Sequence, residues 1–244
     1  MKRPSHAQSP GLLEFPRPLT TVDVVIFTVL DDQLQVLLIK RPHDPVEPFP
    51  NAWALPGGFV DVQKDRSLEG CARRKLLEKT GVKSPYLEQL GSWGDAKRDP
   101  RGWSATHAWF ALIPSDSIKL RQGGNAQDVH WHPVELLPIT TNIAFDHRTI
   151  LQSAIERLRS KVEYTSLPAF MLQEPFTLPQ LQHVYEVVLG RALDKSGFRT
   201  RALAANFLVE TGYMDVAAPR QAMGYRLSDR EVPTFFPRTF SGRS

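Results

Sequence analysis

The chain has 244 residues, 41% of them hydrophobic, which suits one large domain or two modest ones. Its one cysteine, Cys71, excludes an internal disulfide framework. With no apolar leader and no run near ~18 apolar residues, the expectation is a cytoplasmic protein that does not enter a membrane. The net charge of +4 is unevenly placed: residues 1–190 hold 21 Lys+Arg against 21 Asp+Glu, whereas residues 191–244 hold nine against five. A basic C-terminal segment behind a neutral body is a candidate for nucleic acid.

Residues 1–18 are polar and proline-rich and are expected to be flexible. Thr21–Leu30 is β-branched and apolar and reads as a buried strand; Leu34–Lys40 returns beside it after an Asp31-Asp32-Gln33 turn. Four prolines between Arg41 and Asn51 make that stretch a loop, which leads into Trp53-Ala-Leu-Pro-Gly-Gly58. A helix is predicted over 68–80, with Ser67 as its N-cap and Gly81 as its stop. On that helix Cys71 stands among Leu68, Ala72 and Leu76, as packing rather than as a nucleophile. Strands over 86–93 and 104–113 bracket a charged loop at 94–102, and 128–132 is short and alternating. Asp146–Val162 is an amphipathic helix with Ile150, Leu151, Ala154, Ile155 and Leu158 on one face, closing a first domain over 19–162.

A linker is expected over 163–176. Thr177 and Gln180 then form a capping box for a helix whose apolar stripe is Leu181, Val184, Tyr185, Val188 and Leu189, ended by Gly190. A second long helix is predicted over 198–211, capped by Ser196 and stopped by Gly212, followed by a turn near Arg220 and a strand over 223–227. Helix, short step, helix and β-ribbon give the order of a winged helix-turn-helix over 177–228, with 229–244 as a tail without fold. Lys195, Ser196, Arg199, Thr200 and Arg201 stand at the start of the second helix, where such domains reach base edges and phosphates. Arg220, at the wing, is placed for phosphate or a minor groove.

Residues 58–82 carry the chemistry. Gly58, Arg74, Leu76, Glu78, Gly81 and Val82 fit the Nudix box, G-x5-E-x7-R-E-U-x-E-E-x-G-U with U aliphatic, and the stretch resembles it. That family cleaves pyrophosphates using divalent cations held by helical carboxylates, and Mg²⁺ needs such hard oxygen ligands. Here Lys75 and Lys79 stand where the pattern has Glu. The Gly58–Arg74 spacing is two residues too long, so the early Glu falls on Lys64 or Arg66. Positions 75, 78 and 79 share a helix face. Three Glu there carry −3; Lys75, Glu78 and Lys79 carry +1, and an ammonium group cannot ligate a cation. The expectation is an anion site with no catalytic and no metal residues. The alternative leaves both lysines solvated and recruits Glu47, Asp61 or Glu69 as ligands.

Around this box, Arg98 and Arg101 suit a diphosphate. Arg41 and Phe49 flank the same cleft, and Phe49 or Trp53 offers a ring for adenine, Trp53 being the more natural core residue. Pairing of Arg98 with Asp95 or Asp99, and a structural His147, are the plainer readings. The whole chain over about 15–227 resembles the Nudix-related transcriptional regulators of NAD metabolism. The likeness is carried by Pro56-Gly-Gly-Phe-Val60, Arg74–Gly81, Arg98-Asp-Pro-Arg-Gly-Trp103, Ala144-Phe-Asp-His147 and Glu174–His183. It implies an α/β (α+β) fold, a Nudix-type α/β/α sandwich followed by a winged helix-turn-helix. It also implies a homodimeric repressor of NAD-biosynthesis or salvage genes on a palindromic operator. The expected effector is ADP-ribose or a related nucleotide, with Arg41, Phe49, Gly57, Gly58, Glu78, Arg98 and Arg101 as the candidate binding residues and no cofactor. The competing expectations are a hydrolase of ADP-ribose or another nucleoside diphosphate derivative with a C-terminal protein-binding module, and a Nudix-like protein without ligand.

Overall fold

A computed structural model of the chain describes residues 17–81, 86–115, 128–137, 142–217 and 220–237. Most of the N-terminal 1–18 segment, Val82, the wing tip at 218–219, the side chain of Arg220 and the end of the tail from 238 lie outside the described residues.

Strand β1 (Leu19–Leu30) is buried over eight consecutive residues, Thr21–Thr28. The continuous run follows from its central place: β6 (Ser104–Leu112) pairs parallel with it on one side, and β2 (Gln33–Lys40) antiparallel on the other. Its alternate residues serve two cores. Val22, Val24 and Ile26 pack with Cys71, Ala72 and Leu76 of α1 (Leu68–Thr80). Val25 and Phe27 pack with Ile150, Leu151, Ala154 and Leu158 of α2 (His147–Val162). Strand period and helix period thus meet to give a helix on each face. β5 (Tyr86–Asp95) extends the sheet beyond β6, and β7 (Asp128–Pro133) pairs with β2.

The ladder between β1 and β2 ends at Phe27–Val36. Beyond it the strands part and each takes a short partner: β4 (Gly57–Phe59) on Thr21–Asp23, β3 (Trp53–Ala54) on Ile39–Lys40. These two- and three-residue strands flank Pro56 and leave no periodic trace in the sequence. The wedge they line opens onto α1 and becomes the cleft described below. α1 has the expected ends: the Ser67 hydroxyl accepts from the Gly70 amide, and Gly81 is left-handed at φ 72°.

The C-terminal part keeps the expected capping box at α3 (Leu178–Leu189), where the Gln180 side-chain oxygen accepts from the Thr177 amide at 2.7 Å. The second helix differs. α4 runs Lys195–Ala204, and its N-cap is Asp194, whose carboxylate accepts from the Gly197 amide at 2.7 Å, not Ser196. It stops because Asn206 turns left-handed at φ 56°, after which Leu208–Ala217 pairs as β8 with β9 (Arg220–Leu227). Val209, Thr211 and Tyr213 are residues that favour strands, and a paired partner decides their state. Gly212 (φ 98°) sits at a register shift in β8 rather than ending a helix.

Two further stretches differ from expectation. The supposed linker contains a 3₁₀ helix, Leu167–Met171, all five residues of which are buried. The tail from Ser228 folds back: the Thr234 and Phe236 backbones bond to Ser166 and Tyr164, and Phe236 stacks on Phe207 at 5.9 Å. Arg230 reaches the Leu172 carbonyl at 3.0 Å. As a result one apolar core runs from Val25 and Phe110 through Phe170 to Phe198 and Leu227. α2 and α3 meet directly, with Arg159 donating to the Val188 carbonyl at 3.1 Å, and His183 contacts Asp32 of the β1–β2 turn at 2.8 Å.

Candidate functional site

The opened wedge is a cleft of about 770 Å³, walled by β1, β3, β4 and α1 and by the loops holding Arg41, Arg101 and Phe145. Its floor is Asp23, a carboxylate inside an apolar strand. Asp23 Oδ2 accepts from the Thr106 hydroxyl at 2.7 Å and from Arg98 Nη2 at 3.1 Å. His147 Nδ1 accepts from the Leu55 amide at 3.0 Å, which leaves Nε2 as the ring N–H, 3.4 Å from Asp23. Burial by itself raises the Asp23 pKa; the facing His147, Arg98 and Thr106 outweigh it and hold the carboxyl below its ordinary value. Gly57 is required here, since a Cβ would collide with the Asp23 carboxylate and stand 2.6 Å from the Val22 carbonyl oxygen.

Arg98 is therefore not the free diphosphate clamp that the sequence suggested. Its guanidinium is buried and divided between Asp23 and Asp146, the latter at 2.9 Å. Asp95, one of the partners considered for it, accepts only its backbone amide. Arg101 pairs with Asp99 at 2.8 Å and lies over the Phe59 ring at 5.1 Å. Arg41 pairs with Glu47 at 3.1 Å and lies over Phe145 at 5.0 Å. Phe49 is also displaced from its expected role: it packs against Phe145 with centroids 4.7 Å apart and the rings tilted by 57°, and Phe145 and Phe59 are the rings on the cleft. Trp53 packs on His132 and the core, as its plainer reading held.

On α1, Arg74 is gripped by Asp65 in a two-pronged pair of 2.7 and 2.6 Å and also bonds Glu78 at 3.0 Å. Asp65 lies between Lys64 and Arg66, the two positions the motif offers for its early Glu. The Arg74 hydrogen bonds hold its carboxyl well below the usual range. Lys75 rests over Gly58, where a Cβ would come 3.1 Å from the ammonium nitrogen. Gly58 itself has φ 142°. Lys75, Glu78 and Lys79 all line the cleft.

A second surface lies on α4. Phe198 and Ala202 face the core, so Lys195, Ser196, Arg199, Thr200 and Arg201 are all turned to solvent.

Residues 19–154 match the NUDIX domain, and residues 168–227 match the NrtR DNA-binding winged helix domain. The ADPR responsive transcriptional repressor NtrR of Acinetobacter baylyi is 45% identical over 92% of this chain and 88% of its own. The chain belongs to the NrtR family. Within that family, the crystal structure of Shewanella oneidensis NrtR complexed with a 27mer DNA superposes with a TM-score of 0.80 at 41% identity, covering 90% of this chain and 98% of that one. The NUDIX domain of the same NrtR, cocrystallised with ADP ribose, superposes with a TM-score of 0.53 at 44% identity, over 59% of this chain and 90% of that one. The Nudix sandwich and the winged helix are thus both established. Among the described residues, no helix is long and apolar enough to cross a membrane.

Asp23, Phe59 and Phe145 on the cleft, and Asp65, which holds the cleft residue Arg74, are the residues that sequence reasoning passed over. Asp23 left one signal, a charge in an otherwise apolar strand. Cys71 illustrates the reverse, a reactive residue type that the fold makes inert. Burial and the neighbouring Asp65 carboxylate push its thiol up to about 11. Dithionitrobenzoate at pH 8 is therefore expected to leave Cys71 unmodified in the native chain and to titrate one thiol after unfolding in guanidinium. Rapid labelling of the folded protein contradicts that burial.

Proposed function

We propose that this chain is a DNA-binding repressor of NAD-biosynthesis or salvage genes, acting as a cytoplasmic homodimer on a palindromic operator. Its Nudix domain binds ADP-ribose or a related nucleotide without hydrolysing it, and the bound form releases DNA. The observation that carries this reading is one continuous core joining a nucleotide-sized cleft to a winged helix with an exposed Arg199–Thr200 face. A ligand moves a DNA equilibrium only by favouring one arrangement of the dimer. α2 supplies the physical connection, since its N-terminal cap residue Asp146 grips Arg98 at the cleft and Arg159, near its other end, holds α3. Arg41, Gly57, Gly58, Glu78 and Arg101 line the cleft and are the candidate effector contacts.

The hydrolase reading is weakened by the state of the carboxylates. Glu78 is tied to Arg74, Asp61 to Lys64 and Glu47 to Arg41. Gel shifts with promoter fragments of NAD-metabolism genes are expected to show a complex that ADP-ribose dissolves. After incubation with Mg²⁺ or Mn²⁺ the ADP-ribose is expected to be recovered intact. Rapid formation of AMP and ribose phosphate, abolished by Glu78→Gln, establishes the hydrolase instead. A complex indifferent to ADP-ribose removes the sensor role.

A further inference from the structure

The residues at the box helix do not fit the divalent cation of the hydrolysing Nudix proteins. Among the described residues, no group of three or more His, Cys, Asp or Glu side chains is placed to hold a metal. Glu78 stands between Lys75 and Lys79 and is bonded to Arg74. A nucleoside diphosphate entering the cleft nevertheless brings two negative phosphates, and something must balance them.

We propose that the Lys75 ammonium, with Lys79 one turn further along α1, takes the place of the metal and holds the diphosphate of the bound nucleotide. The proposal rests on the reading of the cleft as a nucleotide site. The geometry supports it in three ways. The Lys75 ammonium comes within 3.1 Å of where a Cβ on Gly58 would stand, so it lies where α1 faces β4, on the wall of the cleft. It has no hydrogen-bond or ion-pair partner among the described residues, whereas the guanidinium groups of Arg41, Arg74, Arg98 and Arg101 are each paired with a carboxylate. Lys79 is half-buried beside it; that burial pulls its pKa down against the opposing pull of Glu78, and the like-charged Lys75 adds to the lowering. An anion between the two ammonium groups relieves both penalties, and a charge-assisted hydrogen bond to phosphate is among the stronger polar contacts.

The test is titration calorimetry on the full chain with ADP-ribose, in EDTA and in Mg²⁺, with circular dichroism to verify each variant's fold. The native chain is expected to bind equally in both buffers. Lys75→Gln is expected to weaken ADP-ribose about 10- to 100-fold, while Lys75→Arg, which keeps the cation, stays within a few fold of native. The Lys75→Glu, Lys79→Glu double variant is expected to lose detectable binding in EDTA. A native chain that binds ADP-ribose only with Mg²⁺, or a folded Lys75→Gln chain with native affinity in EDTA, overturns the proposal while leaving the nucleotide reading intact. A native chain that binds no ADP-ribose in either buffer overturns both. The native comparison of EDTA with Mg²⁺ can overturn the proposal even if a variant does not fold, and Lys75→Arg beside Lys75→Gln assigns the binding to the Lys75 cation.

Discussion

Arg98→Ala is expected to lower the free energy of unfolding by about 3–5 kcal/mol. The size follows from what is left behind. Asp23 is buried, and among the described residues its Oδ2 has Arg98 as its one permanently charged partner, supported by Thr106 and His147. Removing the guanidinium strands that carboxylate at a position only 5% exposed, and it also cuts the tie between β1 and the start of α2 through Asp146. Arg73→Ala is the contrast: its exposed pair with Glu69 along α1 contributes about 0.5 kcal/mol or less.

The pH dependence of that loss has a definite sign. In the native chain the Asp23 carboxyl is held below its ordinary value. A depressed folded value means stabilisation that is present above the unfolded value, about 3.9, and is lost as pH falls through the folded one. Without Arg98 the burial that opposes this depression is less well compensated. The carboxyl is then easier to protonate, and protonation removes the stranded charge. Urea unfolding of Arg98→Ala is therefore expected to show its largest deficit near pH 7 and a smaller one near pH 4. A deficit below about 1 kcal/mol at neutral pH contradicts the role given to the buried pair.

This pair also shows where the sequence stopped being legible. Local signals placed β1, β2, α1 and the α3 capping box within a residue or two, because caps, left-handed glycines and apolar runs are written within a few positions of the structure they cause. Arg98 was visible as a cation near a cleft, but its partners Asp23 and Asp146 lie 75 and 48 residues away. Only the parallel register of β1 on β6, which sets Asp23 opposite Ala108 and near Thr106, brings that acid to the loop. Asp65 was missed for a different reason. Its loop is longer than the motif allows, so counting lands on either side of a residue that the folded loop presents to Arg74. The end of α4 and the folded tail were hidden because strand pairing with β9 and stacking of Phe236 on Phe207 are tertiary choices.

Substitution of Arg199 by Ala is expected to weaken operator binding by about 2–6 kcal/mol, from ~1–3 kcal/mol per base contact counted once in each half of a symmetric site. Shortening α4 strengthens this placement. With Asp194 as N-cap, Arg199 and Thr200 fall in the second turn and are exposed; Thr200 lies opposite Phe198 and Ala202, Arg199 lies about 100° round from Phe198 on the flank, and Ser196 is exposed on the same outward side. Leu203 adds 38% exposed apolar surface to that face, suited to a thymine methyl group. Lys195 flanks it, at the first turn, where phosphates are met. The two variants should separate in kind as well as size. Arg199→Ala should relax the preference at one base pair of each half-site and leave the salt dependence nearly intact. Lys195→Ala should weaken operator and random DNA alike and flatten the slope against log salt by about one unit per lost phosphate contact, so about two for a dimer. The full chain is the right background, because cutting at Ser166 removes Phe170, Phe176 and Tyr185 from a core shared with β1 and α2. If Arg199→Ala and Lys195→Ala both leave operator affinity and salt slope unchanged while the protein stays folded, α4 is not the surface that reads DNA.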